Sequence, residues 1–348
     1  TGATMNPATI DQSTPPEATP VTMRAIVQDA YGVAPEEVLR LAEIARPAIG
    51  YVEVLVRVAA ASVDRGTWHL MAGLPYLMRA AGFGGVRTPK ATNPGRCFAG
   101  TVESVGKDVT GFSPGDEVFG TSENSFAEYV AAKPGQLAPK PASLSFEQAA
   151  AVPISGVTAL QAVRDRAKVT AGETVLVIGA SGGVGSFAVQ IARAYGAEVT
   201  GVCGPAKVDF VRGIGADHVV DYSREDFAGG DQRYDVILDI GGSSPLSRLR
   251  RALAPRGRLV IVGGMTDGRW LGGIDRQVRA MLLSPFVGQK LGSLMASENS
   301  ADLLAVGELI DAGKVAPAID RTYPLSEVPA AIRSLLKGQV QGKVVITV

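Results

Sequence analysis

Cysteine and histidine are nearly absent from this chain, with two of each among 348 residues. Cys97 and Cys203 stand far apart and outside any paired motif. Two cysteines cannot build a four-thiolate zinc lobe, and they imply no disulfide framework. A reducing, cytoplasmic home is the simple expectation. An excess of charge of one sign is also missing, since Lys plus Arg and Asp plus Glu both number 34. That balance offers no basic stripe to nucleic acid or to an anionic membrane. No run of ~20 apolar residues occurs, so no transmembrane helix is expected. The first twenty residues are rich in Thr, Pro, Ala and Ser and lack an apolar period. They have no charged start leading into an apolar stretch, so they do not read as a secretory signal. Residues 1–20 are expected to form a flexible tail.

What is present is concentrated between Thr174 and Lys207. The run Thr174-Val175-Leu176-Val177-Ile178 reads as a strand, and Gly179-Ala180-Ser181-Gly182-Gly183-Val184-Gly185 follows it. Val184, Phe187, Ala188, Ile191, Ala192 and Tyr195 then recur at the spacing of one buried helix face. After a turn at Gly196, Glu198 to Val202 reads as a second strand. Strand, glycine turn, helix and strand make the nucleotide-binding unit of a doubly wound α/β domain. The glycines permit a tight turn and let the backbone approach a pyrophosphate, and the helix N–H groups point at that anion. The usual G-x-G-x-x-G here reads Ala180-x-Gly182-x-x-Gly185, with alanine first. The competing reading is a turn that merely packs helix on sheet.

NAD-binding versions of this unit carry Asp or Glu at the end of the second strand, ~20 residues after the glycines begin. That place here reads Val202-Cys203-Gly204-Pro205-Ala206-Lys207, with no carboxylate and a lysine close by. Tyr222 ends the next strand-like run, His218 to Tyr222, near the same sheet edge. NADPH is therefore expected rather than NADH, with Lys207 and Tyr222 at its 2′-phosphate. The plainer alternatives are an exposed helix lysine and a strand-end aromatic.

Residues 21 to 150 read as β-rich. Val52, Val54, Val56 and Val58 alternate with Glu53, Leu55 and Arg57, the period of a half-buried strand. Ser113-Pro114-Gly115-Asp116 is turn chemistry. Helices are scarce, which predicts a compact barrel-like domain. The segment Tyr76 to Lys90 interrupts it, either as a loop or short helix near a pocket or as a surface insertion. A helical period resumes after Ser145, and strands are expected at Tyr234 to Asp239, Arg258 to Val262 and Lys343 to Val348.

Several stretches together resemble one family. They are Pro94-Gly95-Arg96-Cys97-Phe98-Ala99-Gly100-Thr101-Val102, Gly111-Phe112-Ser113-Pro114-Gly115-Asp116-Glu117-Val118, the glycine turn, and Ile214-Gly215-Ala216-Asp217-His218-Val219-Val220-Asp221-Tyr222. In this order they resemble the medium-chain dehydrogenase/reductase superfamily, in its zinc-independent quinone oxidoreductase-like branch. The resemblance implies a GroES-like catalytic domain at 21–150, completed by 318–348, and a Rossmann NADPH-binding domain at 151–317. It implies a pyrophosphate held by Ala180, Ser181, Gly182, Gly183, Val184 and Gly185, with Cys203, Lys207 and Tyr222 at the adenosine end. Asp64, Thr158, the loop Gly263-Gly264-Met265, and Phe286 and Val287 would line the rest of the cofactor cleft.

Zinc-dependent relatives have Cys where this chain has Asp64, and Gly-His-Glu where it has Gly95-Arg96-Cys97. Arg96 is a cation that would repel a metal, and His69 lacks partners as a ligand, so no metal is expected. Without a Lewis acid the expected substrate is a quinone or an α,β-unsaturated carbonyl compound, whose own conjugation accepts hydride. Trp68, Tyr76, Leu77 and Phe83 are the candidates to contact it. No catalytic acid is identifiable. A specialised biosynthetic enone reductase and a non-catalytic NADPH-binding sensor remain the alternatives. A homodimer is expected, paired through Arg258 to Val262 and Met281 to Val287.

Overall fold

The computed structural model of the protein describes residues 21–80, 85–263 and 268–348. The expected tail, 1–20, lies outside the described residues. Two sheets organise the rest.

The first sheet is mostly antiparallel. It joins β3 (Val54–Val63), β4 (Cys97–Val105), β5 (Glu117–Thr121), β6 (Tyr129–Ala132) and β7 (Leu137–Pro139) to two strands from the end of the chain, β14 (Ile319–Pro324) and β15 (Lys343–Thr347). β15 lies antiparallel to β3, with Val344 opposite Val63 and Thr347 opposite Ala60. β1 (Thr22–Gln28) and β2 (Leu39–Ala45) form a separate antiparallel pair, linked to the segment before β6 by a bridge from Ala25 to Ala127. Val54, Val56 and Val58 of β3 and Val102 of β4 fill one core with Phe98 and Val118. Opposite them, Ile26, Met71, Phe126, Val344 and Ile346 fill another.

The second sheet is fully parallel. It consists of β8 (Thr174–Ile178), β9 (Glu198–Cys203), β10 (His218–Asp221), β11 (Tyr234–Asp239), β12 (Leu253–Ile261) and β13 (Lys290–Ser293). Their spatial order is β10-β9-β8-β11-β12-β13. Sequence order reverses between β8 and β11, and ligands of open α/β sheets bind beyond the carboxyl ends of the strands at such a reversal. The helix Gly183–Ala194 buries Phe187, Ala188, Ile191 and Ala192 against the sheet. Each large apolar side chain there contributes roughly 1.5–3 kcal/mol.

One expectation needs correction. Arg258 to Val262 was expected to provide a sheet edge for dimerisation, but β12 lies between β11 and β13. The edge is β13. Periodicity identifies a buried parallel strand without giving its place in the sheet.

Candidate cofactor cleft

The chain turns sharply after β8. Gly179 adopts φ +85°, a conformation that costs glycine little. The N–H groups of Gly179 and Ala180 both donate to Val202 O at 3.1 Å, fastening the turn to the end of β9. A Cβ on Gly185 would sit 2.1 Å from Gly179 O, so only glycine fits there. Alanine is accepted at position 180 because its methyl group fills the space beside Gly201, where an added Cβ would meet it at 3.1 Å.

The helix then starts from Gly182, which supplies no side-chain cap. Its first-turn N–H groups and the positive end of its dipole face the space above the turn. Two buried polar groups reach the same place. A Cβ on Gly183 would lie 2.9 Å from Lys343 Cδ and 3.1 Å from Ser155 Oγ. Lys343 is 2% exposed, and neither its Nζ nor Ser155 Oγ has a hydrogen-bond partner among the described residues. A buried ammonium without a partner is costly. Placed at a helix N-terminus, it makes a site whose missing partner is an anion. A dinucleotide pyrophosphate fits that requirement. Ser155 and Lys343 were missed in the sequence. The signal available was a lysine heading the apolar run Lys343-Val344-Val345-Ile346.

Thr158 is buried one turn beyond Ser155 on the same helix, Pro153–Leu160. Gly263 follows β12, and its carbonyl accepts from Arg276 at 3.1 Å. Gly264 and Met265 lie outside the described residues. Arg276 also donates to Ser244 O at 2.8 Å and pairs with the buried carboxylate of Asp239. It thereby ties together the loops leaving β11 and β12. Burial pushes the Asp239 carboxyl up, and Arg276 opposes that shift.

At the sheet edge expected to take the adenosine, Cys203 closes β9 and Tyr222 follows β10. Tyr222 Oη lies 3.0 Å from where a Cβ on Gly204 would be. Lys207 Nζ donates to Gly338 O and Val340 O, both at 2.7 Å, and burial lowers its pKa. A carboxylate does reach this edge, from the neighbouring strand: Asp221 pairs with Cys203 in the β10–β9 register. It accepts from Ser223 N at 2.9 Å and Ser223 Oγ at 2.7 Å, and these bonds lower its pKa.

On the first domain, Asp64 caps the helix Arg65–Ala72. Its Oδ1 accepts from Thr67 N at 3.0 Å, and Thr67 Oγ1 accepts from Asp64 N at 3.2 Å. Its Oδ2 accepts from Cys97 Sγ at 3.8 Å. Burial pushes the Cys97 thiol up to about 12, so it is neither a nucleophile nor a ready metal ligand. Arg96 pairs with Glu298 at 2.7 Å. Among the described residues no group of three or more His, Cys, Asp or Glu could hold a metal ion.

Trp68 is half-buried against the core that holds Met71 and Val344. His69 Nδ1 lies 2.9 Å from Leu74 O, and burial lowers its pKa. Tyr76 and Leu77 begin the short helix Tyr76–Ala80, while Phe83 lies outside the described residues. Phe286 and Val287 do not fit the role expected of them. They precede β13, at the amino end of the parallel strands, opposite the glycine turn, and Phe286 is 84% exposed. The carboxyl end of β13 instead leads into Leu294, Met295 and Ala296.

The parallel sheet with its glycine turn, facing a barrel-like domain, defines a two-domain oxidoreductase that uses a nicotinamide cofactor. The chain belongs to the medium-chain dehydrogenase/reductase superfamily, in its quinone-oxidoreductase-like branch. Residues 50–142 match the family described as alcohol dehydrogenase GroES-like domain, and residues 214–346 match that described as zinc-binding dehydrogenase. It is 34% identical over 362 residues to the mouse (Mus musculus) protein named NAD(P)H oxidoreductase RTN4IP1, mitochondrial, covering 94% of this chain and 89% of that one. The structure of the quinone oxidoreductase from Coxiella burnetii is similar with a TM-score of 0.79 and 29% identity, over 94% of this chain and 100% of that one. The CurK enoyl reductase structure is similar with a TM-score of 0.80 and 27% identity, over 93% of this chain and 99% of that one. Among the described residues no helix is long and apolar enough to cross a membrane.

Proposed function

We propose that the chain is a zinc-independent, NADPH-dependent reductase that delivers hydride to a quinone or an α,β-unsaturated carbonyl compound, acting as a homodimer in a reducing compartment such as the cytoplasm. The observation that carries this reading is how the residues at the zinc-ligand positions are engaged. Asp64 caps a helix and accepts from Cys97, and Arg96 pairs with Glu298. That donor set, with a guanidinium in place of an imidazole, does not suit Zn²⁺. A substrate reduced without a Lewis acid must carry the developing charge in its own conjugation.

NADPH, when bound, supplies the hydride. The protein's residues bind and orient. Lys343, Ser155 and the first-turn N–H groups from Gly183 to Gly185 would hold the pyrophosphate. Thr158 and Gly263 would flank the nicotinamide half, and Asp64, directly after β3, would stand near its ribose. Lys207 and Tyr222 support a 2′-phosphate. Asp221 is the group at this edge that would favour NADH; its Oδ1 is taken up by Ser223 N and Ser223 Oγ, and the end of β9 itself carries no carboxylate. A narrower reading, a biosynthetic reductase of a bulky enone, is supported by the similarity to the CurK enoyl reductase.

The test is oxidation of NADPH and of NADH against a panel of quinones, compact enones and one bulky enone, with and without chelator. Turnover that prefers NADPH and survives chelation is expected. Turnover that is lost to chelator and restored by zinc would overturn the reading. A marked preference for the bulky enone would favour the narrower one.

A further inference from the structure

The segment Gly268 to Gly273 belongs to the carboxyl end of the parallel sheet. It follows Gly263, and the helix Ile274–Leu283 that comes after it sends Arg276 back to Asp239 and Gly263 at the ends of β11 and β12. The short helix Tyr76–Ala80 belongs to the other domain, reached from Asp64 through Arg65–Ala72. The two segments meet. Tyr76 N donates to Arg269 O at 2.8 Å, and Leu77 N donates to Trp270 O at 3.4 Å. The Tyr76 and Trp270 rings pack edge to face, with centroids 5.3 Å apart and planes at 69°. Gly272, at φ +52°, lies so near Pro75 that an added Cβ would stand 2.8 Å from Pro75 Cγ.

The contact is firmer on one side. Arg79 donates from Nε to Gly73 O at 2.6 Å, and its guanidinium lies 4.9 Å from the Tyr76 ring centroid and 4.1 Å from that of Tyr31. Tyr76 is thus held between Arg79 and Trp270. Trp270 nevertheless remains 74% exposed. An aromatic residue fixed by its backbone and one ring edge, with its remaining surface free, is preorganised to meet a flat ligand.

We propose that Trp270 is a specificity-determining residue. Together with Tyr76 it forms a strap across the mouth of the cleft, one half from each domain, and its free ring surface covers the outer side of a flat conjugated substrate. The proposal rests on the reading of the cleft as a quinone or enone site and adds a residue from the cofactor domain to a pocket otherwise walled by the catalytic domain. Because both rings form one contact, loss of either should relax the same restriction on substrate size.

The test compares wild type with Trp270→Ala, Tyr76→Ala, the double variant and Trp270→Phe. For a compact quinone, Trp270→Ala is expected to raise KM about tenfold with kcat changed less than twofold. For a bulky enone, KM should change less than threefold, so selectivity shifts toward the larger substrate. Tyr76→Ala should act in the same direction, the double variant should be no worse than the stronger single one, and Trp270→Phe should recover most of the loss. Equal effects on all substrates, or additive losses, would overturn the proposal. Hydrogen exchange at the Tyr76 and Leu77 amides is read in parallel, because those amides donate to the strap whether or not anything turns over. Protection that falls in Trp270→Ala supports the strap, and protection that is absent in wild type defeats it. Wild type that reduces no quinone or enone removes the reading beneath the proposal, and the amide protection still reports on the contact itself.

Discussion

Arg96 and Glu298 join the two domains through an ion pair of 2.7 Å, with side chains 24% and 27% exposed. Arg96 immediately precedes β4, and Glu298 lies in the segment that follows β13. The foot of Glu298 is well fixed. Gln161 Nε2 donates to Ser297 O at 2.8 Å and to Asp302 Oδ2 at 2.7 Å, and Arg164 pairs with Asp302 at 2.6 Å. Gln161 and Arg164 lie on the π-helical stretch Gln161–Ala167 that continues from Pro153–Leu160, the helix carrying Ser155 and Thr158. A wider helical turn of this kind often marks a functional position. The position that holds a metal-ligating imidazole in zinc-dependent relatives here carries a cation that spans the cleft.

Breaking this pair should loosen the domains more than it unfolds them. Arg96→Ala and Glu298→Ala are each expected to lower stability by about 1 kcal/mol, as for a partly exposed pair. The double variant should cost little more than either single one. Thermal unfolding of all four proteins at low and high salt checks this, with the wild-type advantage shrinking as salt rises. Additive losses would mean that the two residues act separately.

Lys343 should show opposite effects on stability and on binding. Its buried Nζ has no hydrogen-bond partner among the described residues, so Lys343→Met removes a desolvated charge and keeps most of the volume. Stability without cofactor is expected to hold or to rise by about 1–2 kcal/mol. NADPH binding is expected to weaken by roughly 1.5–3 kcal/mol, the worth of a hydrogen bond to a charged group. Denaturant titration and calorimetric binding read the two effects separately. Unchanged affinity would remove Lys343 from the pyrophosphate site.

The glycine turn was legible in the sequence because its chemistry is local: a positive-φ turn, a close backbone approach and a helix start all fall within seven residues. Lys343 was not legible. The chain's return through Gly342, whose N–H donates to Ser181 O at 2.8 Å, carries it to Gly183, and no local pattern encodes that return. Phe286 and Val287 misled for a related reason. An apolar run near a strand does not say which end of the strand it occupies, and here β13 begins after it. Asp64 could be read either as a ribose ligand or as a cap. The capping box with Thr67 decides how its Oδ1 is used in this structure.

Both thiols should be inert in the folded protein. Cys97 and Cys203 are free and buried. Burial pushes Cys97 up to about 12 from the ordinary 9.0, and burial together with Asp221 raises Cys203. A disulfide-exchange reagent near pH 8 is expected to titrate no thiol until denaturant is added, and then two. The same shift gives a pH dependence. Above the unfolded thiol's pKa the unfolded chain ionises while folded Cys97 stays protonated, so its contribution is intact below about 9.0 and is lost as pH rises toward about 12. Stability measured across that window should fall less steeply in Cys97→Ala.

Lys207 should affect cofactor choice and the C-terminal loop together. Lys207→Ala is expected to weaken NADPH binding by on the order of 1–3 kcal/mol while leaving NADH nearly unchanged. The variant also frees Gly338 O and Val340 O, so hydrogen exchange around 338–341 should accelerate. Equal losses for both cofactors would assign Lys207 to holding the loop rather than to the 2′-phosphate.

The edge strand β13 makes the last prediction. Strand edges invite pairing unless something covers them. Beside this one lie Val278, Met281, Leu282 and Phe286, between 47% and 84% exposed. An apolar patch next to an unpaired parallel edge is well suited to a second copy related by a two-fold axis, which would extend the sheet through both subunits. Light scattering at micromolar concentration is expected to give twice the chain mass of 36.0 kDa. Leu282→Glu and Phe286→Glu change exposed side chains, so they should leave the fold intact and shift the protein toward monomer. They sit at or near the amino end of the strands, away from the glycine turn, so NADPH affinity should stay within about twofold. A wild-type monomer would leave the edge unpaired in solution and reject the dimer. A dimer that withstands both charges would move its interface elsewhere.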